Sequence, residues 1–223
     1  MQINERIFKS DIEKIKNILN KIDLLRNSDF YKKRISNSYR VDGTKEFNKI
    51  FQSILENNDF HFLLKDQSII QIEKSDNTLR YTFWGSPFMF LSYEDYLFDK
   101  GLSFSDVGYS YQEEYNQKLY ESDLIKFPVY ISYDYSEDTY KEFCHGTSHI
   151  HIGLYSDMRI SSCMELTPLS FLMIILKNFY YNVWKEIVEK PKISREFESV
   201  KANCPDLPNS LFSARDKKEL YII

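Results

Sequence analysis

Histidine is scarce in this chain, with four residues in 223 against 17 Tyr and 17 Phe. Cysteine, glycine, proline and tryptophan are also few, at 3, 6, 6 and 2. The cysteines stand at 144, 163 and 204. An odd number at that spacing gives neither a disulfide framework nor a C-x-x-C zinc knuckle, and reduced thiols in a cytoplasm are the simplest account. No P-loop, G-x-G-x-x-G, G-x-S-x-G or H-E-x-x-H is present, so the common glycine-loop and zincin chemistries lack their signatures. Long apolar runs are missing too. The strongest, Phe171 to Leu176, is cut by Lys177 and Asn178 and is too short for a bilayer. The charged, amphipathic N-terminus has no signal-peptide core. The expectation is a soluble cytoplasmic protein with no membrane partner. A basic excess is also absent: the formal net charge is −4. Nucleic acid or nucleotide stays open as a ligand, but the charge does not support it. One local basic stretch, with Lys32, Lys33, Arg34 and Arg40, reads as a solvated helix end or loop.

What remains is the composition of an ordinary globular protein, 43% hydrophobic and 28% charged, long enough for a substantial core. Ser10 to Glu13 has the form of a capping box, and Ile12, Ile15, Ile18, Leu19, Ile22 and Leu25 recur at helical spacing. A second amphipathic helix follows Thr44 as cap, with Phe47, Ile50, Phe51, Ile54 and Leu55 as its apolar face. Residues 67–85 read as two strands joined at Ser75-Asp76-Asn77. Residues 102–111 and 126–138 alternate in the strand manner, with a helix between them. In the second of these, Phe127, Val129, Ile131, Tyr133 and Tyr135 fall on one face and Tyr130, Ser132 and Asp134 on the other. Thr167 and Pro168 open a long buried helix that Pro191 ends. The tail reads as loop with a last short strand at Leu220 to Ile223. The fold class is therefore α+β: N-terminal helices, a mostly antiparallel sheet and a long buried helix near the C-terminal third. One domain is expected over 1–223, with a helical N-terminal layer at 1–58, a mainly β part at 59–165, and helix and tail at 166–223.

Three of the four histidines fall in one seven-residue window, 145–151, inside "CHGTSHIHIG". If 148–154 is a strand, its period of two sends His149, His151 and Gly153 to one face and Ile150 and Ile152 to the other. His145, behind Gly146-Thr147, can fold back to the same place, and Asp157 and Arg159 follow at once. Two chemical readings fit. In one, His149 and His151 with His145 or Asp157 bind a divalent transition metal such as Zn or Mn, with Fe and Ni also suited to imidazole and carboxylate donors. In the other, His149 and His151 are a general acid and base, and Arg159 holds an anionic substrate. The plainer alternative is a half-buried, hydrogen-bonded histidine pair. Histidine-triad hydrolases, two-histidine phosphoesterases and cupins each need an element that is not evident in this chain. His61 reads as structural. Cys144 is a weak nucleophile candidate, because adjacency to His145 does not give contact.

"SHIHIGLYSDMRIS" and the following "LTPLSFLMIILKNFYYNVW" resemble a family of uncharacterised bacterial proteins, domain of unknown function 2290. The family's H-x-H-x-G element, nearby R-I and T-P-opened helix with an aromatic end fall here on His149, His151, Gly153, Arg159, Ile160, Thr167, Pro168, Phe179 and Tyr180. The resemblance implies a bacterial cytoplasmic protein from a mobile or defence-related gene neighbourhood, and it carries no established chemistry. Two functions stay open. The first is a metal- or histidine-dependent hydrolase of a phosphodiester or nucleotide, in which His149, His151 and Arg159 do the work and His145 and Asp157 assist. The second is a non-catalytic regulator or subunit whose Tyr-rich surface meets another bacterial protein.

Overall fold

A computed structural model of the chain describes residues 3–29, 46–88, 92–121, 128–155, 158–219 and 221. Among them are eight α-helices and one seven-stranded antiparallel sheet, an α+β architecture. The strands are β1 (Leu25–Ser28), β2 (Phe62–Leu64), β3 (Ile69–Lys74), β4 (Thr78–Trp84), β5 (Tyr130–Ser136), β6 (Ser148–Ile152) and β7 (Arg159–Ser161). They lie side by side in chain order, every neighbouring pair antiparallel. The β3–β4 connection is the expected turn at Ser75 to Asn77. β1 is a strand inside the stretch read as a helical layer.

The two faces of the sheet differ. Ile70 and Ile72, Leu79, Tyr81 and Phe83, Ile131, Tyr133 and Tyr135, and Ile150 point into the main core. Two helices cover that face. α1 (Glu5–Lys21) brings Phe8, Ile15, Ile18 and Leu19, and α6 (Pro168–Phe179) brings Leu169, Phe171, Leu172, Ile175 and Leu176. The start of α6 is as read from the sequence: Pro168 is in the first turn and the Thr167 side chain accepts from Ser170 N. The start of α1 is not. Asn4 caps it, accepting from Ile7 N at 3.0 Å, so Ser10 lies inside the helix. Asn4 is an equally good cap placed earlier in the chain. Asp23, at φ 56°, then turns the chain so that Leu25 begins β1 instead of extending the helical stripe.

A further helix packs on one end of the opposite face. α2 (Phe47–Glu56) lays Ile50, Phe51 and Ile54 over Leu63, Ile69 and Trp84. Thr44, the expected cap of that helix, and the basic stretch around Lys32 lie outside the described residues.

Two further readings change. Residues 102–111, expected as a strand, contain the helix α4 (Phe104–Val107), closed by Gly108 at φ 51°. α4 stands between α3 (Tyr93–Asp99) and α5 (Gln112–Glu121), and the three share a small aromatic cluster around Tyr96, Leu97 and Tyr115. Local helical hydrogen bonding and a left-handed glycine outweigh the alternating pattern there. The long helix after Thr167 breaks at Tyr180, whose ring lies edge-on to Phe83 and whose hydroxyl donates to Asp66 Oδ2 at 2.7 Å. α7 (Tyr181–Glu189) follows. It ends at Glu189, just before Pro191 as expected, and Pro191 then opens α8 (Pro191–Glu198), since the first turn has no use for the N–H that proline lacks. Of the final strand expected at 220–223, only Tyr221 is among the described residues, and it has no strand assignment.

Two tyrosines in adjacent strands make a contrast that tests this account of the core. Tyr133 Oη donates to Ser148 Oγ (3.0 Å), whose one hydrogen goes to Met164 O (2.6 Å), and accepts from Leu166 N (2.9 Å), whereas the buried Tyr81 hydroxyl has no partner among the described residues. Tyr133→Phe is expected to cost about 1–3 kcal/mol by stranding the buried Leu166 N–H. Tyr81→Phe is expected to be neutral or to stabilise by up to about 1 kcal/mol. Urea denaturation of the two variants beside the parent checks the opposite signs.

Candidate metal centre on the polar sheet face

The strand register orders the second face into three rows. Ile69, Trp84 and Tyr130 form an apolar row beneath α2. Gln71, Thr82, Ser132, His151 and Arg159 form a second, and Glu73, Arg80, Asp134, His149 and Ser161 a third. The second row is closed off where it meets the first. Gln71 Oε1 accepts from Thr82 Oγ1 (2.6 Å) and Trp84 Nε1 (3.0 Å), and its amide donates to Asp59 O (2.6 Å). Polarity therefore rises along the face, away from α2 and toward the histidines.

β6 puts His149 and His151 on this face and Ile150 in the core, as its period requires. Their Nε2 atoms are 2.9 Å apart. Asp134, on the neighbouring β5, completes the group: one ligand atom from each of Asp134, His149 and His151 lies within 4.8 Å of the other two. Asp134 Oδ2 is 3.4 Å from His151 Nε2, and its Oδ1 accepts from Arg80 Nε across the strand pair.

The protons follow from the partners. His149 Nδ1 is 2.8 Å from Gly146 O, and a carbonyl can only accept, so Nδ1 carries a hydrogen. In neutral His149, Nε2 is then a bare lone pair, and the proton between the two rings belongs to His151 Nε2. Both imidazoles resist protonation. Burial, followed by the neighbouring His151, pushes His149 down to about 4. His151 is also lowered, first by burial and then by Arg159 and Arg80, against the opposing pull of Asp134. Arg80 is held more firmly charged: burial opposes its charge, but Asp134 outweighs it.

Two imidazole nitrogens and a carboxylate oxygen are a donor set for Zn, Mn, Fe or Ni. Tetrahedral ligation at ordinary Zn–N lengths needs nitrogens about 3.3 Å apart. The pair is thus about 0.4 Å too close and must spread slightly. The Gly146 carbonyl behind His149 and the Arg80 guanidinium behind Asp134 are the kind of outer partners that orient metal ligands.

The other expected site residues divide. His145 does return to the pair: its ring meets that of His149 edge to face at 4.9 Å, and its Nδ1 is buried without a partner among the described residues. It stands beside the converging atoms, not among them. Arg159 is exposed on β7 directly opposite His151. Asp157 lies outside the described residues, and the carboxylate that converges is Asp134. Gly153 does not continue the row. β6 ends at Ile152, and Gly153, at φ 88°, turns the chain with a backbone conformation that favours glycine. Cys144 is exposed on the loop, and His61 is structural, its Nδ1 accepting from Ile72 N at 3.0 Å. Asp134 and Arg80 went unassigned in the sequence reading. The only signal for Asp134 was its place on the polar side of β5, and Arg80 had none until the β4–β5 register was known.

The fold and site together define an α+β protein whose antiparallel sheet carries two histidines and a carboxylate on one polar face. The chain belongs to the family described as uncharacterized conserved protein, DUF2290, whose model matches residues 15–221 and so takes in all three of those side chains. No curated protein and no solved structure matches the sequence. No helix among the described residues is long and apolar enough to cross a membrane.

The lowered histidines make the fold sensitive to acid. His in an unfolded chain titrates near 6.5, and folded His149 near 4. Between those values the unfolded chain takes up a proton that the folded chain refuses, so stability falls as pH drops through that window. The expected loss is on the order of 1–3 kcal/mol. Urea midpoints of the metal-free protein from pH 7 to 4.5 should show it, with a shallower slope in His149→Asn.

Proposed function

We propose that the chain is a metal-dependent hydrolase of a phosphodiester or nucleotide, with His149, His151 and Asp134 holding one divalent transition metal. The observation that carries this reading is the convergence of three ligand atoms from two strands within 4.8 Å. A metal there would supply Lewis acidity toward a phosphoryl oxygen at neutral pH. The protein's own contributions are distinct. Arg80 fixes one oxygen of Asp134 and leaves the other toward His151. Gly146 O holds His149 with Nε2 facing the site. Arg159, exposed opposite His151, binds substrate phosphate as a charge-assisted donor. His145, beside His149 and outside the three converging groups, is placed to pass a proton. The bacterial cytoplasmic setting, with its link to defence or mobile elements, belongs to the same proposal and suits a nucleotide or phosphodiester substrate.

A second reading, a non-catalytic partner of another protein, is favoured by one observation. Phe98 and Tyr109, on the α3–α5 segment, are 81% and 71% exposed beside a small aromatic cluster. Under that reading, substitutions at the histidines leave partner binding intact.

Elemental mass spectrometry of untagged protein, after loading with Zn(II), Mn(II), Fe(II) or Ni(II), is expected to find near-stoichiometric metal. Folded His149→Ala/His151→Ala and Asp134→Ala variants should lose it. Hydrolysis of bis(p-nitrophenyl) phosphate should disappear with the metal. In Arg159→Ala the metal should stay while kcat/KM falls about 10–100-fold, the loss of one charge-assisted contact. A parent protein that takes up none of the four metals ends this reading.

A further inference from the structure

The loop between β5 and β6 delivers both His145 and the carbonyl that orients His149, and its conformation depends on a residue near the C-terminus. Lys141 and His145 close the loop on themselves: Lys141 N donates to His145 O (2.9 Å) and His145 N to Lys141 O (2.8 Å). Inside that turn Phe143 has φ 56°, a left-handed conformation that a bulky side chain rarely adopts. Such a backbone persists only where its surroundings hold it.

The surroundings come from the tail. Asp216, 6% exposed, accepts from Phe143 N on Oδ1 and from Tyr140 Oη on Oδ2, each at 2.7 Å. Oδ2 also accepts from Ser213 N (2.7 Å), and Asp216 N donates back to Ser213 Oγ (3.2 Å), which locks the carboxylate's own position. The Arg215 guanidinium lies 4.7 Å from the centre of the Phe143 ring, and Thr147 Oγ1 donates to Leu211 O at 3.2 Å. The tail therefore grips the loop on both sides of the Cys144-His145-Gly146 segment.

We propose that Asp216 is a positioning residue for this site: by holding the 140–145 turn it places the Gly146 carbonyl that fixes the His149 tautomer. The carboxylate touches no converging ligand atom and acts through the loop. The proposal rests on the metal reading only for its consequence for affinity, because the tautomer of His149 is a property of the metal-free protein. The same arrangement makes the C-terminal segment part of the site.

The test uses the full chain with 15N-labelled histidine and no metal, with long-range 1H–15N correlations to read the ring tautomers. The parent should show His149 as a single Nδ1–H tautomer. Asp216→Asn keeps the shape but has one acceptor oxygen, so it cannot accept from Phe143 N on one side and from Tyr140 Oη and Ser213 N on the other. It is expected to replace that signature with a mixture and to weaken Zn(II) binding about 10–100-fold. Tyr140→Phe should move both in the same direction by less. Thr167→Ala, which weakens the fold far from the loop, should leave the signature unchanged. A folded Asp216→Asn protein with the parental His149 signature overturns the proposal, whatever its metal affinity. If Asp216→Asn does not fold, an unchanged signature in Tyr140→Phe does the same. A parent that binds none of the four metals would end the metal reading and leave the tautomer comparison to decide the role of Asp216.

Discussion

The antiparallel register of β4, β5 and β6 is the constraint on which the site depends. It sets Arg80 opposite Asp134 and Asp134 opposite His149, so a cation, a carboxylate and an imidazole stand in line across three strands. Side chains alternate along a strand, so a one-residue slip of β5 would carry Asp134 into the core and bring Tyr133 out, and a slip of β6 would do the same to His149 and Ile150. The penalty for that exchange is large, because Tyr81, Tyr133 and Ile150 are buried under α1 and α6. The hydrophobic pattern on one face thus specifies the polar constellation on the other.

Tyr133 reinforces the register from behind. Its hydroxyl donates to Ser148 Oγ at the start of β6 and accepts from Leu166 N just before the Thr167 cap, while Ser148 gives its one hydrogen to Met164 O at 2.6 Å. One buried hydroxyl therefore joins β5, β6 and the approach to α6. The histidines on the far side of β6 inherit that fixity, which a metal site needs if its ligands are to stay within a few tenths of an ångström of working geometry. On the polar face the Gln71 amide, with its partners at Thr82, Trp84 and Asp59, does the same for the edge of the apolar layer under α2.

Much of this was legible in the sequence because periodicity is local. The alternation through Ile131, Tyr133 and Tyr135, the H-x-H pair with Ile150 between, and the Thr167-Pro168 helix start each depend on a few adjacent residues, and each appears in the structure. Family membership was legible in the same stretch. What escaped was set by contacts between distant segments. Asp134 is drawn into the site by pairing with β6, and Arg80 by pairing with β5. Tyr180 leaves its helix where Phe83 and Asp66 engage it. The α4 region alternates as a strand does, but it belongs to a helical excursion with its own aromatic cluster. No spacing rule within one segment contains those pairings.

Proton and metal compete for the same atoms in this arrangement. Without metal, the Nε2 atoms of His149 and His151 lie close enough to share one hydrogen, and burial keeps a second proton off His149. A buried pair that refuses its second proton is a liability for the fold in acid, yet refusal is what a metal ligand requires, since only neutral imidazole coordinates. The cost to the apo protein and the readiness of the site have one origin, the low exposure imposed on His149 by the sheet and by the loop that the tail holds down. In the proposed hydrolase, metal binding would offset that cost by favouring the folded form. Stability in mild acid and occupancy of the centre would then rise and fall together.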